Sequence, residues 1–185
     1  MVHEVDDISL TPSNSHRTMA CLGNAAPTTT VFAVVMRLAW QGDGASRMEV
    51  AHIERTEPSL VASGTQLGLT YELRYRLQPD ALQLELVGER TLEIALDGAD
   101  FFDLGWSPLF NSLPVIRDGL LDPGPPRDYL MRWVDVPSLE VSLSEQRYEP
   151  LGDGVIRFRA GNFVSDITFD GEGFVVSYPG IAARP

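Results

Sequence analysis

Lysine is absent from this chain: all 14 basic residues are arginine, against 26 acidic residues, for a formal net charge of −12. The missing lysine fits a GC-rich genome better than any one mechanism. The acidic balance argues against non-specific binding to DNA, RNA or anionic bilayers, which needs a net positive surface. A single Cys, Cys21, excludes an internal disulfide and fits a reducing compartment. No apolar run reaches the length of a membrane span; the strongest, VFAVVMRLAW at 31–40, is short and broken by Arg37. The opening MVHEVDDISL is acidic and lacks the basic start of a secretory signal. These observations predict a cytoplasmic protein without membrane insertion or a nucleic-acid partner.

Catalytic signatures are missing as well. There is no GxGxxG, P-loop, GxSxG or CxxC, so nothing calls for a cofactor. The three histidines are His3 and His16, in the N-terminal arm, and His52, in a strand-like run, whose favoured reading is structural or surface. A nucleophilic Cys21 would need His16 or His52 as its base, and an inert thiol is the simpler reading. Asp97, Asp100 and Asp103 recur every three residues and could share a face toward a cation. Turn formation and helix capping explain them more simply.

What is present is period two. Tyr71, Leu73, Tyr75 and Leu77 alternate with polar residues, as do Leu82, Leu84 and Leu86, then Leu92, Ile94 and Leu96. The pattern returns in Leu139, Val141 and Leu143, in Ile156 and Phe158, and in Phe174, Val176 and Tyr178. Turn chemistry separates the runs: GDG at 42–44, QPD at 78–80, GDG at 152–154 and DGEG at 170–173. About nine or ten antiparallel strands follow, with 153–159, 162–170 and 173–178 close enough for a meander. Helices are expected only as short pieces near 99–104 and 107–111. Residues 1–30 are rich in Ser, Thr, Asn and Pro and read as a flexible arm, leaving 31–185 as one β domain.

The fold class expected is therefore all-β. A large antiparallel sheet with few helices must curl into a half-barrel or barrel-like shell, and such shells can hold a ligand. Residues 97–120 hold Phe101, Phe102, Trp106 and Phe110 without either period, and read as an irregular crossover that plugs or lines the concave face. Trp40, Trp106 and Trp133, with Tyr71, Tyr75, Tyr129, Tyr148 and Tyr178, supply rings with polar edges, suited to a cavity as well as to a sandwich core.

Three ordered segments carry a resemblance. LDGADFFDLGWSPLFNSLPVIR (96–117), WVDVPSLEVSLSEQRYEPL (133–151) and FVSDITFDGEGFVVSYPG (163–180) are similar to the motifs of a bacterial glycolipid-binding family, formerly a domain of unknown function. The resemblance implies a curled sheet shaped like bacterial lipoprotein carriers, and a lipid or glycolipid ligand. By position it carries over Asp103, Ser107, Pro108, Asn111, Leu113, Pro114, Arg117, Gln146, Tyr148, Asp170, Gly173, Tyr178, Pro179 and Gly180. Where the family often has a second adjacent Arg, this chain has Asp118.

The expected ligand contacts are Trp106, Arg117, Arg132, Trp133, Gln146, Tyr148 and Tyr178. Asp103, Pro108, Asn111, Pro114, Asp170, Gly173, Pro179 and Gly180 are expected to shape the backbone. The first functional expectation is non-enzymatic binding of an amphipathic ligand. Its rivals are a hydrolase or isomerase using carboxylates such as Asp103 and Glu145, and an interaction module whose exposed edge strand binds a partner or forms a homodimer.

Overall fold

The computed structural model describes residues 34–44, 46–56 and 59–185. The expected arm at 1–30, with His3, His16 and Cys21, lies outside the described residues.

Among the described residues, thirteen strands form one open, curled sheet. They are β1 (Val34–Gly42), β2 (Met48–Thr56), β3 (Ser59–Gly68), β4 (Tyr71–Leu77), β5 (Ala81–Leu86), β6 (Arg90–Ala95) and β7 (Phe101–Leu104). After α1 (Pro108–Asp118), the one helix among the described residues, come β8 (Arg127–Val134), β9 (Val141–Gly152), β10 (Val155–Ala160), β11 (Phe163–Phe169), β12 (Val175–Tyr178) and β13 (Ala182–Ala183). The order across the sheet is β6-β5-β4-β3-β2-β1-β13-β12-β11-β10-β9-β8-β7. Every pairing is antiparallel except β7 with β8. The two edge strands, β6 and β7, are consecutive in sequence, so the short connection 96–100 ties one rim of the sheet to the other. Asp100 fastens that connection: its N–H donates to the Leu130 carbonyl (2.7 Å) and its Oδ2 accepts from the Leu130 N–H (2.8 Å).

The alternating apolar residues of β4 and β5 face inward: Leu73, Tyr75, Leu77, Leu82, Leu84 and Leu86 are all buried. They form one core with Ala51, Ile53, Phe102, Leu109 and Phe110. A second core joins Val115 of α1 to Tyr129, Met131, Tyr148, Ile156, Phe158 and Ile167. The helix therefore contributes to both cores from within the curl.

The crossover is more regular than expected. Residues 101–104 form a strand, not a helix, and 108–118 form an eleven-residue helix. Two prolines hid that helix from a period search. Pro108 occupies the first turn, where a missing N–H costs nothing, but Pro114 lies inside and removes one helical hydrogen bond. Burial carries the helix regardless: Leu109, Phe110, Asn111, Ser112, Pro114 and Val115 are all enclosed. Gly119 ends it in the left-handed region (φ 64°), its N–H donating to the Val115 carbonyl.

Two polar contacts, at Ser107 and Ser112, fix the helix in the shell, and each acceptor or donor is itself held by a second bond. Tyr75 and Ser107 each donate a hydroxyl to Glu49 Oε1 at 2.6 Å. The Val175 N–H donates to Ser112 Oγ at 3.1 Å, while the Val175 carbonyl accepts from Trp40 Nε1 at 2.8 Å. Tyr75 reaches Glu49 because β3 carries Gly64 between them: a Cβ there would sit 2.1 Å from the Tyr75 ring.

Candidate functional site

A cavity of about 580 Å³ opens between α1 and the β7–β12 half of the sheet. Its position follows from the composition of β9. Period two turns Ser142, Ser144, Gln146 and Tyr148 to the same side, and the first three are too small or too polar to fill the space a Leu row would fill. β7 and β8 place Asp103 beside Trp133, and β8 and β9 place Trp133 beside Ser142. The walls are aromatic: Trp106, Trp133, Phe158 and Phe163, the last of them partly exposed at the mouth. Behind them runs a file of edge-on rings, Phe101–Tyr129–Tyr148–Phe158–Tyr178, with centroids 5.3–6.0 Å apart.

The floor is a hydrogen-bonded chain. Asn111 Nδ2 donates to the Tyr148 hydroxyl (3.1 Å), which donates to Gln146 Oε1 (3.3 Å), and Gln146 Nε2 donates to Asp103 Oδ2. Three elements, α1, β9 and β7, thus converge on one carboxyl. Burial pushes Asp103 from 3.8 up to about 6, and the bond from Gln146 offsets part of that rise. Burial, then the neighbouring Asp103, holds the Tyr178 hydroxyl well above its ordinary range. Asp103 therefore titrates close to neutrality, while the tyrosines remain donors.

Of the expected ligand contacts, the structure brings Trp106, Trp133, Gln146 and Tyr178 to the cavity wall, and sets Tyr148 directly behind it. Arg117 and Arg132 lie elsewhere. The Arg117 guanidinium stacks 3.8 Å above Phe101 and grips both oxygens of Asp118 (2.8 and 3.1 Å). Arg132 follows Met131 on β8 and so turns to the other face, 3.5 Å from Asp97.

Asp103 and Asn111, read from sequence as backbone-shaping residues, also line the cavity. Pro108 and Pro114 belong to α1. Asp170 organises the β11–β12 turn, its Oδ1 accepting from the N–H groups of Glu172 and Phe174 and its Oδ2 from Arg184 (2.7 Å). Gly173 (φ 88°) passes so close to α1 that a Cβ would lie 2.8 Å from Ile116. Pro179 accepts at its carbonyl from Ser165, and the Gly180 N–H donates to Asp43 (3.1 Å).

Other sequence candidates fall outside the cavity. His52 accepts from Arg37 (3.1 Å) on the outer face of β1 and β2. Glu145 precedes Gln146 on β9 and is exposed on the opposite side. Among the described residues no group of three or more His, Cys, Asp or Glu is placed to hold a metal. Nor, among the same residues, is any helix long and apolar enough to cross a membrane.

Sequence reasoning missed Phe163 at the mouth. Leu139, Val141 and Leu143 read as one buried stripe, yet only Leu139 is buried, and Leu143 is 56% exposed. Leu139 sits in a turn at positive φ, so the strand begins after it and the stripe breaks. The usable signal was the polar alternation Ser142, Ser144, Gln146.

An open, curled antiparallel sheet around an aromatic cavity with a polar floor defines a β-shell of the kind that encloses small molecules. Residues 86–184 match the family described as putative glycolipid-binding, and the chain belongs to that family. Among solved structures, the chain is similar to a DUF1089 family protein from Pseudomonas aeruginosa at 19% identity and a TM-score of 0.52, over 93% of this chain and 100% of that one. That likeness concerns the fold. No curated protein matches the sequence.

Proposed function

We propose that the protein binds an amphipathic ligand, a lipid or glycolipid, in the 580 Å³ cavity and performs no chemistry on it. One observation carries this reading: the wall of that cavity is aromatic while its floor is a buried file of hydroxyl, amide and carboxyl groups, in residues that match the family's motifs. Apolar burial, at about 25 cal/mol per Å², supplies affinity for a hydrocarbon portion. Asp103, Gln146, Asn111 and Tyr178 suit a hydroxyl-bearing head, since a carboxylate accepts from two hydroxyls and amides both donate and accept. A wholly packed interior would have favoured the interaction-module reading.

The test is native mass spectrometry of protein purified without detergent, followed by organic extraction and lipid analysis. The expected result is a stoichiometric adduct that extracts as one lipid class. Phe163→Asp, a partly exposed change on the cavity wall, is expected to reduce the adduct about tenfold or more by placing a charge against the hydrocarbon path. A clean apo mass that persists after incubation with mixed cell lipids would sink the reading.

A second reading keeps support from one group. Asp103 titrates near 6 inside a cavity, as a general acid does. Its expected partner Glu145 faces away, so any catalysis would rest on Asp103 with other groups of the wall. Turnover of a glycosylated substrate that Asp103→Asn abolishes would establish it.

A further inference from the structure

Glu49 on β2 and Gln66 on β3 are directly paired across the sheet, and both are buried on its inner face. Each has one oxygen, Glu49 Oε2 and Gln66 Oε1, without a hydrogen-bond partner among the described residues. Unpaired buried acceptors are costly. Both side chains border a second, smaller cavity of about 10 Å³, roughly the room one water needs. One water suits both: it donates to Gln66 Oε1, and it accepts from Glu49 Oε2 when that carboxyl is protonated or donates to it when ionised.

The other ends of the same two side chains hold the link between β7 and α1. Gln66 Nε2 donates to the Gly105 carbonyl (3.3 Å), and the Ser107 hydroxyl donates to Glu49 (2.6 Å). Between those pins sits Trp106 at φ 68°, a conformation that a bulky residue holds only when its surroundings impose it. Its ring walls both the small cavity and the ligand cavity. The Arg47 guanidinium lies 3.9 Å over that ring and also borders the small cavity.

We propose that Glu49 and Gln66 form a hydration and proton-binding site that holds one water, and that the charge on Glu49 decides whether Trp106 stays closed against the ligand cavity. With Glu49 neutral, Arg47 remains stacked on Trp106 and the wall is shut. With Glu49 ionised, an anion stands buried beside that stack, and Arg47 is the cation on the same cavity wall. Arg47 is drawn from the ring toward Oε2, Trp106 loses its partner, and its strained backbone relaxes outward. The groups facing Glu49 are Arg47 ahead of β2, Tyr71 and Tyr75 on β4, Ser107 and the Leu109 N–H at the start of α1, and the neutral Gln66 and Trp40. Burial raises Tyr71, with Arg47 opposing and Glu49 adding to the rise, and burial and then Glu49 raise Tyr75, so both stay protonated. Burial also lifts Glu49 from 4.5 to about 7, opposed by Ser107, Tyr75 and the Leu109 N–H, which places its ionisation within the physiological range.

The inference stands apart from the binding reading, because its test uses no ligand. Acrylamide quenching is measured on the full chain and on Trp106→Phe, and the difference isolates Trp106. Trp106 is 45% exposed while stacked, so from about pH 5.5 to 8.5 its quenching constant is expected to rise about one-and-a-half- to twofold in the wild type and to stay flat in Glu49→Gln. A flat wild-type profile, or an equal rise in Glu49→Gln, overturns the proposal. Should Glu49→Gln fail to fold, Arg47→Gln is expected to leave Trp106 readily quenched at both ends of the range. Protection restored at the acid end in that variant would also overturn it. A crystal structure is expected to carry one water bonded to both free oxygens, and an empty gap there removes the hydration.

Discussion

The strands β1–β6 and β7–β13 share one sheet and one alternation, yet their inner faces do opposite things. On β4 and β5 the inward positions are Leu73, Leu77, Leu82, Leu84 and Leu86, and that face packs solid. On β9 the corresponding positions are Ser142, Ser144 and Gln146, and that face encloses space. Period two decides which residues point inward; the size and polarity of those residues decide whether they fill a core or floor a cavity. Even the polar exceptions in the first region, Glu49 and Gln66, serve the second, since both reach the segment that carries Trp106.

The largest test of that contrast is a pair of truncations. Leu84 is fully buried, so Leu84→Ala is expected to cost about 2–5 kcal/mol in urea unfolding, through lost transfer energy plus a cavity. Ser144→Ala, on the cavity wall, is expected to stay within about 0.5 kcal/mol. Equal costs would mean that the second region is packed as tightly as the first.

Next comes pH, because each region holds one buried acid. The folded state raises Glu49 from 4.5 to about 7 and Asp103 from 3.8 to about 6. The native state therefore binds these protons more tightly than the unfolded chain. Their stabilisation is complete below the unfolded values and disappears as pH rises through about 6 and then about 7, by up to about 3 kcal/mol for each group. Asp118, lowered by its bond from Arg117, works the other way and loses its contribution only as pH falls below the ordinary carboxylate range. Urea unfolding is expected to show greatest stability near about pH 4–5 and a decline toward 7.5. Asp103→Asn should flatten the lower part of that decline and Glu49→Gln the upper part. Stability that rises steadily from pH 4.5 to 7 would contradict both assignments.

The sequence was legible where local pattern and tertiary need agreed. The Leu rows of β4 and β5 and the GDG and DGEG turns announced an all-β sheet without reference to distant contacts. It was illegible where a distant contact decided. α1 forms despite Pro114 because both cores enclose it, and no window of 108–118 contains that information. Within the site, Gln146, Tyr178, Trp106 and Trp133 were visible as motif residues or as rings with polar edges. Glu49 was not, because one carboxyl in MEVAHIE looks like any solvated strand acid until Tyr75 and Ser107 meet it from β4 and the start of α1.

A smaller effect tests how the second region holds its helix. Gly173→Ala places a Cβ 2.8 Å from Ile116 at a φ of 88°, and is expected to cost about 1–2 kcal/mol in thermal or urea unfolding. Gly171→Ala, in the same turn with nothing within 4 Å, is expected to be nearly neutral. Equal costs would place the strain in the turn itself and not in its approach to α1.

The smallest expected effect is the most informative about where the ligand sits. Arg117 lies in the family motif, and an arginine there would suit an anionic head. Its guanidinium is already engaged, bonded to Asp118 and stacked on Phe101, and Asp118 also accepts from the Tyr129 hydroxyl at 2.7 Å. Its side chain is about half exposed, so the pair with Asp118 contributes little. Arg117→Gln is therefore expected to change stability by less than about 1 kcal/mol and to leave any lipid adduct in the mass spectrum intact. Loss of the adduct without loss of fold would move the headgroup out of the Asp103–Gln146 floor and onto the surface around Phe101. The cavity would then hold the hydrocarbon alone, and the polar chain from Asn111 to Asp103 would be a structural tie between α1, β9 and β7.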